Sequence, residues 1–264
     1  MENKIYCGSC QTILKNFPDN YFDLTVTSPP YDKIRDYNGF QFSSEDCNQI
    51  IKELYRVTKK GGVVVWIVGD SVSNGSESGT SFLQAAKFMK IGFKLHDTMI
   101  YEKNTSSFPA RKTSKRYTQI FEYMFVFCKG KIKTGNLICD KPNKWAGHTN
   151  WGKNTHRNKA GELIQSKNIK PVPDFSPRNN IWRYVVGHGF NSSDKESKKH
   201  PAIFPEKLAE DHILSWSNEG DIVLDPFVGS GTTCKIAKKN GRKYVGIDIS
   251  EEYCKLSREI IAKY

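Results

Sequence analysis

With 264 residues, of which 38% are hydrophobic and 26% charged, the chain can form one large α/β domain with a smaller insert, and it is too rich in Phe, Tyr, Ile and Val to be disordered. A formal charge of +12 is high for a soluble enzyme and points to a polyanionic partner. No stretch approaches the roughly 18 apolar residues that cross a bilayer, and MENKIYCGSC lacks the apolar run of a secretory leader, so a cytosolic protein without membrane contact is expected.

Residues 4–7 predict a short strand, 10–17 a short helix and 23–27 a buried strand. Ile50, Ile51, Leu54 and Val57 recur at helical spacing over 45–58, and Lys59-Lys60-Gly61-Gly62 reads as the stop. The apolar run 63–68 predicts a strand, 79–91 a helix, and 94–102 and 122–128 two further strands. This alternation predicts a largely parallel sheet covered on both faces. Over 131–199 the apolar periodicity fades, and 14 lysines and arginines stand against 5 acids. Trp145, His148, Trp151, Trp182 and Tyr184 are interleaved with that charge. Planar rings among cations suit nucleic acid, through stacking and phosphate pairing, although the same rings can build a mini-core. The α/β texture then returns, with helices over 204–217, 232–240 and 251–262 and strands over 222–224 and 244–247. The division is thus 1–130, a basic loop-rich insert at 131–199, and 200–264.

Seven cysteines, an odd number, are scattered as reduced thiols would be. Cys7-Gly8-Ser9-Cys10 has C-x-x-C spacing, but a second Cys/His pair for zinc is missing, and a thioredoxin-like motif belongs to a much smaller fold.

Two motifs carry chemistry. In the first, Ser28-Pro29-Pro30-Tyr31 follows the apolar strand directly. Each proline lacks an N–H, fixes φ and biases its predecessor to extended geometry, so the chain leaves the sheet as a stiff open tip. In the second, strand 222–224 runs into Asp225-Pro226-Phe227-Val228-Gly229-Ser230-Gly231-Thr232-Thr233 and opens a helix, which lets backbone approach a ligand at a strand's carboxyl end. Asp248 ends the next strand, placed to accept hydrogen bonds from ribose hydroxyls. A phosphate loop would need a lysine before the threonines, and a nicotinamide site would need a third glycine. S-adenosylmethionine carries no phosphate and fits the pattern better.

On these two motifs the chain resembles the DNA amino-methyltransferases in the permuted, β-type order, with catalytic motif before cofactor motif. The resemblance implies a Rossmann-like sheet with helices on both faces and a target-recognition insert at 131–199. It implies S-adenosylmethionine bound by Asp225, Pro226, Phe227, Gly229, Ser230, Gly231, Thr232, Thr233 and Asp248. His200-Pro201-Ala202-Ile203-Phe204-Pro205 looks like the segment leading back into that site. Ser9 stands where relatives often carry an acid near the cofactor's adenine. Base flipping into a clamp of Ser28, Pro29, Pro30 and Tyr31 is expected, with the Ser28 side chain and the Pro29 carbonyl accepting the amino hydrogens, Tyr31 stacking on the base, and no metal. A serine at position 28 is associated more with N4-cytosine than with N6-adenine.

DNA contacts are expected from Arg35 and Tyr37 in a flap over 32–42, and from Arg111, Lys112, Lys115 and Arg116 in the basic run 103–116. In the insert they are expected from Lys144, Trp145, Trp151, Lys153, Arg157, Arg178 and Arg183. A homodimer and a cognate restriction endonuclease are compatible with the resemblance. Among rivals, RNA and protein amino-methyltransferases usually place the cofactor motif first. A nicotinamide oxidoreductase lacks its glycine here, and a DNA-binding module with a decayed site would not need both motifs intact.

Overall fold

The computed structural model describes residues 1–30, 43–105, 113, 115–149, 155–165, 170–187, 191–194, 196–197 and 205–264. Among these the first half runs β1 (Lys4–Cys7), α1 (Cys10–Leu14), β2 (Phe22–Thr27), α2 (Ser44–Val57), β3 (Thr58–Val68), β4 (Val72–Ser73), β5 (Ser76–Glu77), α3 (Thr80–Ile91), β6 (Lys94–Lys103) and β7 (Phe121–Cys128). Then follow β8 (Lys141–Pro142), β9 (Thr155–Arg157), β10 (Leu163–Gln165), β11 (Phe175–Ser176), β12 (Ile181–Tyr184), α4 (Glu206–Trp216), β13 (Ile222–Asp225), α5 (Thr232–Lys239), β14 (Lys243–Asp248) and α6 (Glu251–Ile261).

Local chemistry sets the helix bounds. Ser43 and Asp46 form a reciprocal capping box that starts α2, and Cys47, Ile50, Ile51, Leu54 and Val57 bury its inner face. Lys59–Gly62 do not stand between helix and strand as expected. They belong to β3, where a bulge lets Phe22 pair with Thr58 and Leu24 with Val63.

Eight strands form one sheet in the order β1-β14-β13-β2-β3-β7-β6-β12. The run from β1 to β3 is parallel, β7 is antiparallel to both β3 and β6, and β12 is parallel to β6. Five of its seven pairings are parallel, so the sheet is largely parallel as expected, and the reversed β7 makes it mixed. Both faces are covered. Phe127 stacks on Phe88 of α3 at 4.2 Å between ring centroids, whereas Met124, on the opposite face of the same strand, meets His212 of α4 at 3.2 Å.

Two compact units are formed, Met1–Asn136 with Asn180–Tyr264, and Leu137–Asn179. The separate unit is shorter than the expected 131–199 insert, because β12 pairs with β6 along Ile181–Tyr184. Trp182 and Tyr184 are consequently buried, 6% and 7% exposed. Tyr184 donates its hydroxyl to Asp211 at 2.8 Å, and Trp182 packs on the His212 ring at 4.7 Å. Neither is a platform for a base. Within Leu137–Asn179, β8 pairs with β11 and β9 with β10, both antiparallel.

Candidate active site

The β2 ladder ends where Thr27 pairs with Trp66, so Ser28, Pro29 and Pro30 leave the sheet at its carboxyl edge. Pro29 is buried, while Ser28 and Pro30 are half-buried. The neighbouring parallel strand is β13, which ends at Asp225 and enters the glycine turn. From β2 the chain goes on through α2 to β3 on one side; from β13 it goes on through α5 to β14 on the other. The two tips thus flank a topological switch point, the crevice where open α/β sheets bind ligands.

Side chains lock the tips together. Thr27 Oγ1 donates to Asp225 Oδ1 at 2.6 Å, the Phe227 N–H donates to the same oxygen at 3.1 Å, and Thr233 Oγ1 donates to the Val26 carbonyl at 3.1 Å. Asp225 is 2% exposed. Its carboxyl braces the turn against β2, a role that sequence reasoning did not foresee. Burial pushes its pKa up to about 6, against the pull of the Thr27 hydroxyl and the Phe227 N–H.

Asp248 ends β14 one strand further along. Its Oδ2 accepts from the Gly229 N–H at 2.9 Å and its Oδ1 from the Ser250 N–H at 3.0 Å. These bonds aim a half-buried carboxylate, which burial raises above the ordinary aspartate range. Cys7 of β1 lies opposite Asp248, so Gly8 and Ser9 follow at the same edge. Ser9 Oγ donates to Gln11 Oε1 at 3.0 Å, and Gln11 Nε2 donates to Asp46 Oδ1 at 2.7 Å. Gln11 and Asp46 extend the polar edge and carry no motif that would have revealed them.

Close packing explains two glycines. Gly231 has φ +88°, and a Cβ there would lie 2.9 Å from the Ser257 Cβ. At Gly246 a Cβ would lie 2.5 Å from Ile5 Cδ1 and 2.7 Å from Val228 Cγ2. Pro226, Ser230 and Thr232 are buried beside them, and Phe227 is half-buried against Trp66, with ring centroids 6.1 Å apart. The turn carries no basic side chain. The first cation after it, Lys235, is 1% exposed and bound by Asp194 at 2.7 Å and Glu206 at 2.5 Å. No basic side chain of the turn meets a phosphate, and the oriented Asp248 carboxylate beside a tight glycine turn fits the hydroxyls of a nucleoside.

Tyr31, Arg35, Tyr37, Arg111, Lys112, Trp151 and Lys153 lie outside the described residues, as do the flap at 32–42 and residues 200–204. Lys115 is exposed. Arg116 donates to the Gly75 carbonyl and lies 3.8 Å from Glu77. Arg183, on β12, pairs with Glu102 at 2.6 Å. Lys144 sits 5.6 Å from the centre of the Trp145 ring, which is 54% exposed. Arg178 is ion-paired with Asp140, and Arg157 lies on β9. Among the described residues no helix is long and apolar enough to cross a membrane.

The sequence profile of a family described as DNA methylase matches residues 22–259. The chain belongs to that family. This DNA methylase is 56% identical over 250 residues to the orphan methyltransferase M.BamHII of Bacillus amyloliquefaciens, covering 95% of the chain and 92% of the relative. Its fold is similar to that of a DNA modification methylase of Thermus thermophilus, TTHA0409, solved in complex with S-adenosyl-L-methionine, with a TM-score of 0.67, 23% identity and coverage of 98% and 93%. It is similar also to the cytosine-N4-specific PvuII DNA methyltransferase, with a TM-score of 0.67, 20% identity and coverage of 98% and 89%. The DNA methylase fold thus unites the two motifs on adjacent strands.

Proposed function

We propose that this DNA methylase transfers a methyl group from S-adenosyl-L-methionine to the exocyclic amino group of a base turned out of the duplex, and that the base is cytosine, methylated at N4. One observation carries the reading: the Ser28–Pro30 tip and the Asp225–Gly231 turn stand on adjacent parallel strands, joined by the 2.6 Å bond between Thr27 and Asp225.

The cofactor, when bound, supplies an electrophilic methyl group on a sulfonium. Asp248 holds the ribose hydroxyls, Ser9 lies on the adenine side, and Gly229 and Gly231 admit the ligand close to backbone. The amino nitrogen of a base is a poor nucleophile because its lone pair is delocalised into the ring. Acceptors at its two hydrogens favour a pyramidal nitrogen whose lone pair can be aimed. The Ser28 hydroxyl and the Pro29 carbonyl are those acceptors, carried on a stiff tip beyond the end of the β2 ladder. Tyr31 stacks on the base. The preference for cytosine rests on Ser28, since the family associates Ser-Pro-Pro-Tyr more with that target.

The unit Leu137–Asn179 recognises the target sequence, supported by its 8 lysines and arginines against 3 acids. The orphan designation of M.BamHII favours action without a cognate endonuclease. A homodimer is compatible with the same reading and is read by sedimentation. The deciding experiment incubates the protein with unmethylated DNA and S-adenosyl-L-methionine and identifies methylated nucleosides by mass spectrometry. N4-methylcytosine is expected. N6-methyladenine would overturn the target base, and absence of either on varied DNA would overturn the reading.

A further inference from the structure

Strands β9 and β10 form a ribbon closed by residues 158–162, and that turn is unusually well braced. The Asn158 N–H donates to the Glu162 carbonyl at 3.0 Å. Asn158 Oδ1 accepts from the N–H groups of Ala160 at 3.0 Å and Glu162 at 2.9 Å, and Asn158 Nδ2 donates to Glu162 Oε2 at 2.8 Å. Arg157 Nη1 donates to the Gly161 carbonyl at 2.7 Å, which uses one of the five guanidinium N–H groups and orients the rest. Yet all six strand residues are exposed, with Leu163 at 66% and Ile164 at 43%. A two-stranded ribbon bare on both faces is marginal in water. A braced tip whose described strand residues are all exposed is suited to being covered by a partner.

The pairing sorts its side chains. Thr155 stands opposite Gln165 and Arg157 opposite Leu163 on one face, with His156 opposite Ile164 on the other. Arg157 and Lys159 outweigh Glu162, whose carboxylate is already held by Asn158. The unit around the ribbon is basic as well. We propose that the β9–β10 ribbon enters the major groove of the target duplex and that Arg157 and Gln165 read base edges there. This rests on the DNA-methylation reading above. A major groove about 12 Å wide admits a two-stranded ribbon, arginine matches guanine O6 and N7, and glutamine matches adenine N6 and N7. Leu163, on the same face, offers apolar contact to a thymine methyl. Arg157 and Gln165 are diagonal neighbours roughly 7–8 Å apart, so they address base pairs about two steps from one another at 3.4 Å per step.

Full-length protein and its Arg157→Ala, Gln165→Ala and His156→Ala variants would be given a randomised duplex library, and methylated molecules sequenced. Arg157→Ala is expected to relax selection at one guanine, and Gln165→Ala at one adenine, each by about ten-fold or more; His156→Ala leaves selection unchanged. A uniform fall in methylation with selection intact would overturn the ribbon proposal and leave the methylation reading standing. If the parent protein methylates no duplex, that earlier reading has failed. The ribbon is then judged by dimethyl sulfate probing of the bound duplex. Guanine N7 protection that is lost in Arg157→Ala sustains it, and protection unchanged in that variant, or absent from the parent, overturns it.

Discussion

Thr27 and Asp225 make a single hydrogen bond, but the acid is buried, and that gives it a pH signature. A carboxyl raised from 3.8 to about 6 is tolerated best when protonated, so its favourable contribution is fully present below pH 3.8 and is lost as the pH climbs through 6. By pH 8 the loss approaches about 3 kcal/mol. Thermal unfolding without cofactor, compared with Asp225→Asn, is expected to move in the variant's favour between pH 4 and pH 8. A difference between the two proteins that stays constant across that range would contradict it. In the proposed mechanism Ser28 acts on rate instead of stability. Ser28→Ala removes one acceptor from the target amino group and is expected to lower kcat on the order of 10²-fold, by analogy with loss of one transition-state hydrogen bond. The KM for S-adenosyl-L-methionine should hold, because on that mechanism the serine serves the base and not the cofactor. A KM rise at constant kcat would place Ser28 on the wrong partner.

Among the elements, α5 ties the glycine turn to the segment around Asp194 through one buried cation. Lys235 holds Asp194 and Glu206 and lies 5.1 Å from the Tyr264 ring centre. Lys235→Met would strand two carboxylates, with Lys263, 3.7 Å from Asp194, as partial compensation. A loss of about 3 kcal/mol is expected in denaturant unfolding, and adding Glu206→Gln should return part of it. Equal stability of parent and Lys235→Met would show the triad to be energetically idle.

Elements also mark how far the sequence could be read. The two motifs and most elements of the sheet were legible, because apolar runs and proline or glycine punctuation are local signals. The strand β12 was not. Its alternation of exposed Ile181 and Arg183 with buried Trp182 and Tyr184 is a period of two, set inside a polar stretch where aromatics read equally well as stacking platforms. Thr27 gave no sign of its partner, since a contact across 198 residues leaves no local trace. Gln11 and Asp46 escaped for the same reason.

At the scale of the molecule, charge is the readable property. The surplus within +12 lies mostly over 131–199, so duplex binding should be governed by release of counterions. Fluorescence anisotropy across 50–200 mM salt is expected to show affinity falling by about 10³ or more if six or more phosphates are engaged. An affinity indifferent to salt would remove phosphate pairing from the account.

The strand order has a consequence for synthesis. Strands β13 and β14 stand between β1 and β2, although both emerge after almost all of the other elements. A nascent chain therefore carries a breach two strands wide, with the inner edges of β1 and β2 unpaired. Closing it brings together segments nearly a whole chain length apart, the kind of contact that forms slowly. The unpaired edges are a template for pairing with other chains during that interval. The breach coincides with the crevice, so the crevice is expected to be complete only once β13 and β14 have paired with β1 and β2.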